Sequence, residues 1–513
     1  MSWGGVPDAL PRLCGVRLDE LVAELEGARV VGDSAVEVRS LAYDSRRVEL
    51  GGLFFCVPGE KVDGHAFAAA AVDAGAVGLV VERELDLDVA QVVVGDARAA
   101  MAAVAARFFG DPSAELRVVG VTGTNGKTTT TFLVREVLEA AGVQCGLLGT
   151  VRQVVGGAEE AVERTTPEAI DLQATLRRML EAGDRACAME VSSHALELHR
   201  CDAIRFEVAL FTNLTQDHLD FHGTMEEYFA SKHKLFEMAP RVAIVNVDDP
   251  YGRRLAEEFG CVAFSASGAP RADLLARDVS FDPTGSQFTV APGPMGRYVE
   301  DGLTSQPVGG GVRVRTGLPG EFNVANALGA FAAGMAMGVA PETVAAGLAR
   351  AERVPGRFEP IDEGQAFAVL VDYAHTPDSL ANVLRAAREL AGGRLIVVFG
   401  AGGDRDRDKR PKMGRAAAEG ADLLYVTSDN PRSESPDAIL AEVRSGVDRD
   451  EGVTTLVDRR EAISRALTEA RQGDVVVIAG KGHEQGQELE GGRKVPFDDR
   501  EVAREELRKL VAA

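Results

Sequence analysis

The chain has 513 residues, 45% of them apolar and 26% charged, an ordinary globular composition that excludes disorder, collagen and coiled coil as its main class. At about 150 residues per domain, that length suggests roughly three domains. Lysine and arginine total 56 against 79 aspartate and glutamate, and the net charge of −23 repels nucleic acid and anionic membrane, so any bound phosphate must be held by local devices.

In chain order, residues 1–112 read as a small α/β domain. Met1 to Leu18 carry no basic segment followed by an apolar one, so no secretory signal is expected. Short apolar runs (Leu53–Val57, Val77–Val81, Gln91–Val94) alternate with Ala-rich helical stretches (His65–Ala74, Asp96–Phe109). Asp111-Pro112-Ser113 marks a linker. Residues 113–350 open with a buried strand, Leu116–Val121, then a Gly-rich turn and a helix to about Ala141. Further strands are expected at Ala186–Val191, Val208–Phe211 and Val242–Asn246, and short alternating segments between 262 and 316 read as antiparallel strands appended to a parallel sheet. Phe322–Pro341 is uncharged but Ala- and Gly-rich with two Asn, a packed helix rather than a membrane span. Residues 351–513 repeat strand then helix, with strands at Ala368–Val371, Leu395–Phe399, Leu423–Thr427 and Val475–Ile478, the pattern of a Rossmann-like doubly wound sheet. The six cysteines (Cys14, Cys56, Cys145, Cys187, Cys201, Cys261) form no C-x-x-C pair and suit small buried hydrophobes. A cytoplasmic protein without an integral membrane segment or a nucleic-acid partner is expected.

The strongest local signal is Gly120-Val121-Thr122-Gly123-Thr124-Asn125-Gly126-Lys127-Thr128-Thr129. A strand ends, glycines permit a tight turn, and the free N–H groups of a helix start face phosphate. Lys127 would reach the β- and γ-phosphates and the Thr128 hydroxyl would bind Mg²⁺. The strict G-x-x-x-x-G-K-[ST] pattern needs Gly where this chain has Val121, so the loop is a variant. Glu190 follows an apolar run, and Asn213-Leu214-Thr215-Gln216-Asp217-His218 follows another; oxygen and imidazole groups there suit Mg²⁺. Thr224 and Glu227 form a capping box for a helix carrying Lys232 and Lys234, which on the residues alone read as surface lysines. Gly400-Ala401-Gly402-Gly403-Asp404-Arg405 is no dinucleotide fingerprint, because Arg405 stands where the third Gly belongs. Six basic and three acidic residues lie between 404 and 415; Arg407 and Lys409 read as a solvated helix start.

T-G-T-N-G-K-T-T resembles the phosphate loop of the Mur ligases, ATP-dependent amino-acid-adding enzymes of peptidoglycan synthesis, and folylpolyglutamate synthase shares a related loop. The resemblance spans motifs from about residue 43 to 484 and implies an α/β fold of three domains: 1–112 for the UDP-sugar end, 113–350 with the P-loop for ATP, and 351–513 for the amino acid. It implies ATP contacts from Gly123, Thr124, Asn125, Gly126, Lys127, Thr128 and Thr129. Asn323, Arg357, Asp372 and His375 would add to them from F-N-V-A-N-A, V-P-G-R-F-E and V-D-Y-A-H-T-P. Glu190, His218 and a carbamylated Lys232 (N6-carboxylysine) would join Thr128 in holding two Mg²⁺, with Lys127, Lys232, Glu190 and His218 as the catalytic set. Ser45 in Tyr43-Asp44-Ser45-Arg46, with Thr165, Thr166, Ser192 and Arg200, would hold UDP-N-acetylmuramoyl-L-Ala-D-Glu. Arg164 and Leu198 stand where the family often has Asn and Gln. Asp429-Asn430-Pro431-Arg432 resembles the motif by which family members select meso-diaminopimelate; Arg405, Gly480 and Glu484 would complete that site. An Arg guanidinium can grip the distal carboxylate that lysine lacks. The implied reaction is amide-bond formation through an acyl phosphate, carried out by a monomer. The rivals are a lysine-adding relative, a folylpolyglutamate synthase and a P-loop regulatory NTPase.

Overall fold

The computed structural model describes residues 15–59, 62–162, 164–282, 284–294 and 311–512. The start read for a signal lies mostly outside them, as does Cys14. The chain folds into two compact units: Met1–Thr122 with Gly142–Ala209 and Ser231–Arg241, and Gly123–Ala141 with Leu210–Ala230 and Val242–Ala513.

Among its described residues the first unit holds two larger sheets beside the short antiparallel pair Val16–Arg17 with Glu37–Val38. One runs in the order Arg29–Val31, Ala90–Val93, Ala76–Val81, Gly52–Phe55, Ser40–Ala42, parallel except for the antiparallel Arg29–Val31 edge. The helix Ala97–Phe108 starts where Asp96 accepts from the N–H groups of Arg98 and Ala99, and its alanines favour helix. It buries Met101, Ala105 and Phe108 in one core with Leu18, Phe55 and Ile170. In the other sheet, Arg117–Thr122, Ala186–Glu190 and Cys145–Leu148 are parallel neighbours, and Gln153–Val155 and Ala158–Glu160 follow antiparallel. Every residue of Ala186–Glu190 is buried, as expected of a parallel strand covered on both faces.

In the second unit, Val242–Asn246, Val262–Ser265 and Leu274–Asp282 pair parallel; Gly285–Pro292 and Val312–Thr316 extend them antiparallel, the mixed sheet expected from the change of composition after residue 262. Helix Lys127–Ala140 packs against Glu321–Ala336 and Pro341–Arg350. The approach is close enough that a Cβ on Gly347 would lie 2.7 Å from the Val137 Cα. Glu321–Ala336 is buried along nearly its whole length, as a packed helix, and no helix among the described residues is long and apolar enough to cross a membrane. All five described cysteines are buried.

The remainder of that unit is a sheet in the order Glu359–Pro360, Ala368–Asp372, Val475–Ala479, Leu395–Phe399, Leu423–Thr427, Val453–Leu456, parallel except for the first strand. Helices Pro377–Leu390, Lys409–Gly420 and Pro436–Arg444 cover one face, and Arg459–Glu469 and Asp499–Ala512 the other. This is the doubly wound arrangement read from the sequence. Its consequence is positional: the loops starting at Tyr373, Gly400, Ser428 and Gly480 all leave carboxyl ends of parallel strands, where such sheets hold ligands. Ser435 is the N-cap of Pro436–Arg444 with Pro at the first turn, but its side chain makes no capping bond.

Candidate functional site

In the second unit the phosphate loop is built by close backbone approach. Gly123 has φ +146, and a Cβ there would lie 1.9 Å from Thr212 Oγ1. Gly126 is the left-handed N-cap of Lys127–Ala140, and its Cβ would meet Asn326 Oδ1 at 2.3 Å. Asn326 in turn donates to Asn323 Oδ1 at 3.3 Å, which brings that expected nucleotide-side residue to the loop. The Asn213 carbonyl accepts from Thr124 N at 2.8 Å, and its side-chain Oδ1 accepts from Asn125 N at 2.9 Å. Lys127 Nζ donates to the carbonyls of Gly123 and Thr124 at 2.9 and 2.8 Å, so its charge lies over the loop. Arg357 reaches the same helix start, donating from NH2 to Thr128 Oγ1 at 3.0 Å and stacking 4.5 Å over the Tyr373 ring. Its buried Nε has no hydrogen-bond partner among the described residues. Asp372 accepts from the N–H groups of Phe358 and Ala374; burial raises its pKa against the attraction of Arg357.

Asp217, quoted in the sequence motif but assigned no role there, is the charge centre of this region. Its carboxylate lies 3.3 Å from His218 Nε2, 3.7 Å from His375 Nε2 and 3.8 Å from Lys409 Nζ. Burial alone would raise its pKa; His375, His218 and Lys409 together hold it well below the usual carboxylate range. Lys409 is therefore no solvated helix-start residue: it is buried, because Asp217 supplies its counter-charge. Arg407 keeps the surface role, pairing with Glu442. His218 has φ +54 and caps the short helix Leu219–His222. The Thr224–Glu227 capping box is present in both directions.

The first unit gathers most of the residues expected for the muramoyl-dipeptide. Glu190 ends its strand with both carboxylate oxygens engaged, by Thr150 N at 2.8 Å and Thr150 Oγ1 at 3.1 Å, and Thr150 Oγ1 also meets Thr165 Oγ1 at 3.0 Å. Thr166 Oγ1 donates to the Glu190 carbonyl at 2.8 Å and lies 3.3 Å from Ser192 Oγ. Arg200 donates to the Thr166 carbonyl at 3.1 Å and pairs with Glu168 at 2.8 Å; its buried Nε has no partner among the described residues. Glu168, which sequence reasoning missed, is buried beneath Arg98, Arg164 and Arg200. Arg164, standing where the family often has Asn, thus joins the cluster through Glu168. Ser45 is not drawn into this cluster; its neighbour Tyr43 donates to Asp171 at 2.7 Å. Lys232 is buried at 1% exposure, which corrects the expectation of a surface lysine, whereas Lys234 is half-buried and pairs with Glu197. Among the described residues no group of three or more His, Cys, Asp or Glu side chains could hold a metal ion.

Three loops of the second unit interlock at the expected amino-acid site. A Cβ on Gly403 would lie 1.9 Å from the Pro431 carbonyl oxygen, so the glycines after Phe399 serve loop-to-loop packing. Asn430 donates to Glu484 Oε2 at 2.9 Å, and Lys481, also missed from sequence, donates to both Asn430 Oδ1 at 3.0 Å and Glu484 at 2.8 Å. A Cβ on Gly480 would come within 2.5 Å of Asp429 Oδ2. Arg432 donates to the Gly403 carbonyl at 2.6 Å and pairs with Glu488 at 3.1 Å. Arg405 is exposed, and its guanidinium donates to the Asp404 carbonyl at 2.9 Å.

Three family models match the chain. They are described as Mur ligase family, catalytic domain (residues 37–112), Mur ligase middle domain (121–334) and Mur ligase, glutamate ligase domain (356–482). A UDP-N-acetylmuramoyl-L-alanyl-D-glutamate–2,6-diaminopimelate ligase of Syntrophomonas wolfei is 45% identical over 97% of this chain and 100% of its own. A ligase of the same name from Solibacter usitatus is 47% identical over 92% and 94%. A solved structure of a ligase so named has a TM-score of 0.68 at 31% identity, covering 97% and 99%. A Mycobacterium tuberculosis folylpolyglutamate synthase, 17% identical with a TM-score of 0.58 over 81% and 96%, shares the fold.

Proposed function

The chain belongs to the Mur ligase family, and from that membership we propose that it joins meso-diaminopimelate to UDP-N-acetylmuramoyl-L-Ala-D-Glu, converting ATP to ADP and phosphate. The observation that carries the choice of amino acid is the placement of Asn430 and Arg432 past the strand Leu423–Thr427 and of Glu484 past Val475–Ala479, the two strands that flank Leu395–Phe399, with Asn430 bonded to Glu484. A guanidinium and a carboxylate there suit the distal carboxylate and ammonium of meso-diaminopimelate.

In this reading the domain roles are UDP-sugar binding for 1–112, phosphoryl chemistry for 113–350 and amine binding for 351–513, in a cytoplasmic monomer. The loop Gly123–Thr129 cradles the ATP phosphates, with Lys127 and Arg357 opposing their charge, while Asn323, Asp372 and His375 bind on the nucleotide side. Ser45, Thr165, Thr166, Ser192 and Arg200 hold the UDP-muramoyl-dipeptide, and Glu168 sets the orientation of Arg200. The D-Glu γ-carboxylate attacks the γ-phosphate, ADP leaves, and the amine displaces phosphate from the resulting acyl phosphate. Thr128, Glu190, His218 and Lys232, the last as N6-carboxylysine, would hold two Mg²⁺, which supply charge neutralisation on the transferring group. Lys232 is buried, and as a carbamate it would offer anionic oxygens to a metal ion. Arg405, Asp429, Asn430, Pro431, Arg432, Gly480 and Glu484 bind the incoming amino acid.

The test is product analysis. Incubation with ATP, UDP-muramoyl-dipeptide and meso-diaminopimelate is expected to yield a nucleotide heavier by diaminopimelate less one water, with one phosphate released per product. Phosphate release without the heavier nucleotide would contradict the reading.

A further inference from the structure

We propose that Glu488 is the resident counter-ion of Arg432 and sets how strongly the amino-acid site prefers a substrate bearing a distal carboxylate; the inference rests on the site reading given above. Glu488 lies on the strand Gly486–Leu489, which forms a hairpin with Arg493–Pro496. Three contacts fasten it to the D-N-P-R loop. Its N–H donates to Asn430 Oδ1 at 3.0 Å, its carbonyl accepts from Arg432 N at 3.1 Å, and its carboxylate accepts from Arg432 Nε at 3.1 Å. The neighbouring Gln487 adds a bond to the Asp429 carbonyl at 2.6 Å. With NH1 on the Gly403 carbonyl, two of the three guanidinium nitrogens have protein partners, and NH2 has none among the described residues.

The consequence is chemical. A lone Arg432 would be left without an anion when lysine binds, and rejection of lysine would draw on that full penalty. Glu488 removes part of it, because the guanidinium keeps an ion partner whatever amino acid is present. The same carboxylate opposes the distal carboxylate of meso-diaminopimelate, which must share Arg432 with it or displace it. The two side chains are 21% and 35% exposed, so the pair is partly solvated and can exchange. Glu488 is therefore a positioning residue: its backbone and carboxylate hold Arg432, and its charge moderates the selectivity that Arg432 provides.

The variant that separates charge from position is Glu488→Gln, whose amide oxygen can still accept from Arg432 Nε. Steady-state phosphate release with saturating ATP and UDP-muramoyl-dipeptide should show the KM for meso-diaminopimelate falling about two- to fivefold, the scale of a partly exposed pair. The change should appear in KM rather than kcat, and the kcat/KM preference for meso-diaminopimelate over L-lysine should rise. In an Arg432→Ala background the same substitution should leave the KM unmoved. An unchanged or raised KM in Glu488→Gln, or an equal fall in the Arg432→Ala background, would overturn the inference while leaving the site reading intact. A wild-type chain that does not use meso-diaminopimelate would overturn both.

Discussion

At the scale of single residues, side chains and glycines acquire meaning from neighbours far away in sequence. Gly123 was readable as a turn glycine, but the reason it must be glycine is Thr212, 1.9 Å from where its Cβ would stand. Gly123→Ala should strain the loop by about 1–3 kcal/mol and raise the KM for ATP roughly tenfold. An unchanged KM in titrations of ATP would show that the loop does not cradle phosphate. Lys127 stands out through the phosphate-loop pattern, and Arg432 through the resemblance of D-N-P-R to a family motif. Lys409, Glu168 and Asp217 do not stand out. Each sits in a polar stretch that looks solvated, and only partners brought from distant segments, such as Lys409 and His375 for Asp217, account for their burial. For Lys232 the expectation is that Lys232→Ala loses activity by at least about 10–100-fold, the cost seen even for outer partners of metal ligands, with partial rescue by high bicarbonate or a small carboxylic acid. Full activity in the variant would end the carbamate proposal.

At the scale of elements, strand ends and helix starts were readable to within a residue or two, since buried strands are continuous apolar runs flanked by Gly and polar loops. Among the pieces not read are Arg29–Val31, Ser40–Ala42 and Cys145–Leu148, too short to stand out as apolar runs, and Glu359–Pro360, Val453–Leu456 and the hairpin ending at Pro496, whose residues are partly or fully exposed. Two devices hold the amino-acid loops. One is the fully buried pair of Arg459 and Asp499, through which Arg459 also donates to the Ser428 and Ala479 carbonyls at the two strand ends. The other is Arg410, completely buried and bonded to Glu434 and Glu442. Bonding to Arg410 lowers the Glu434 pKa from the ordinary 4.5 to about 2. A depressed carboxylate stabilises the fold fully above its unfolded value and loses that contribution as pH falls through the folded one. Glu434→Gln should therefore melt about 2–4 °C below wild type at pH 7, with the gap narrowing between about pH 4.5 and pH 2. A gap independent of pH in thermal melts would show that Glu434 acts through packing alone.

At the scale of the whole molecule, the balance of charge sharpens the account. A chain at −23 is proposed to bind ATP and a UDP-sugar, both anionic, and an amino acid with two carboxylates. It concentrates its cations locally: Lys127 and Arg357 at the phosphate loop, Arg98, Arg164 and Arg200 around Glu168, Arg432 past the strand Leu423–Thr427. The mixed central sheet and the doubly wound C-terminal sheet followed from composition and strand rhythm, whereas the choice of amino acid rests on the loops carrying Asn430, Arg432 and Glu484. That choice is the central claim, and phosphate release in the presence of ATP and UDP-muramoyl-dipeptide tests it most directly, with meso-diaminopimelate or L-lysine as the only variable. Rapid release with meso-diaminopimelate, little with L-lysine, and loss of that preference in Arg432→Ala are the predicted result; equal release with both amino acids in the wild-type chain would contradict it.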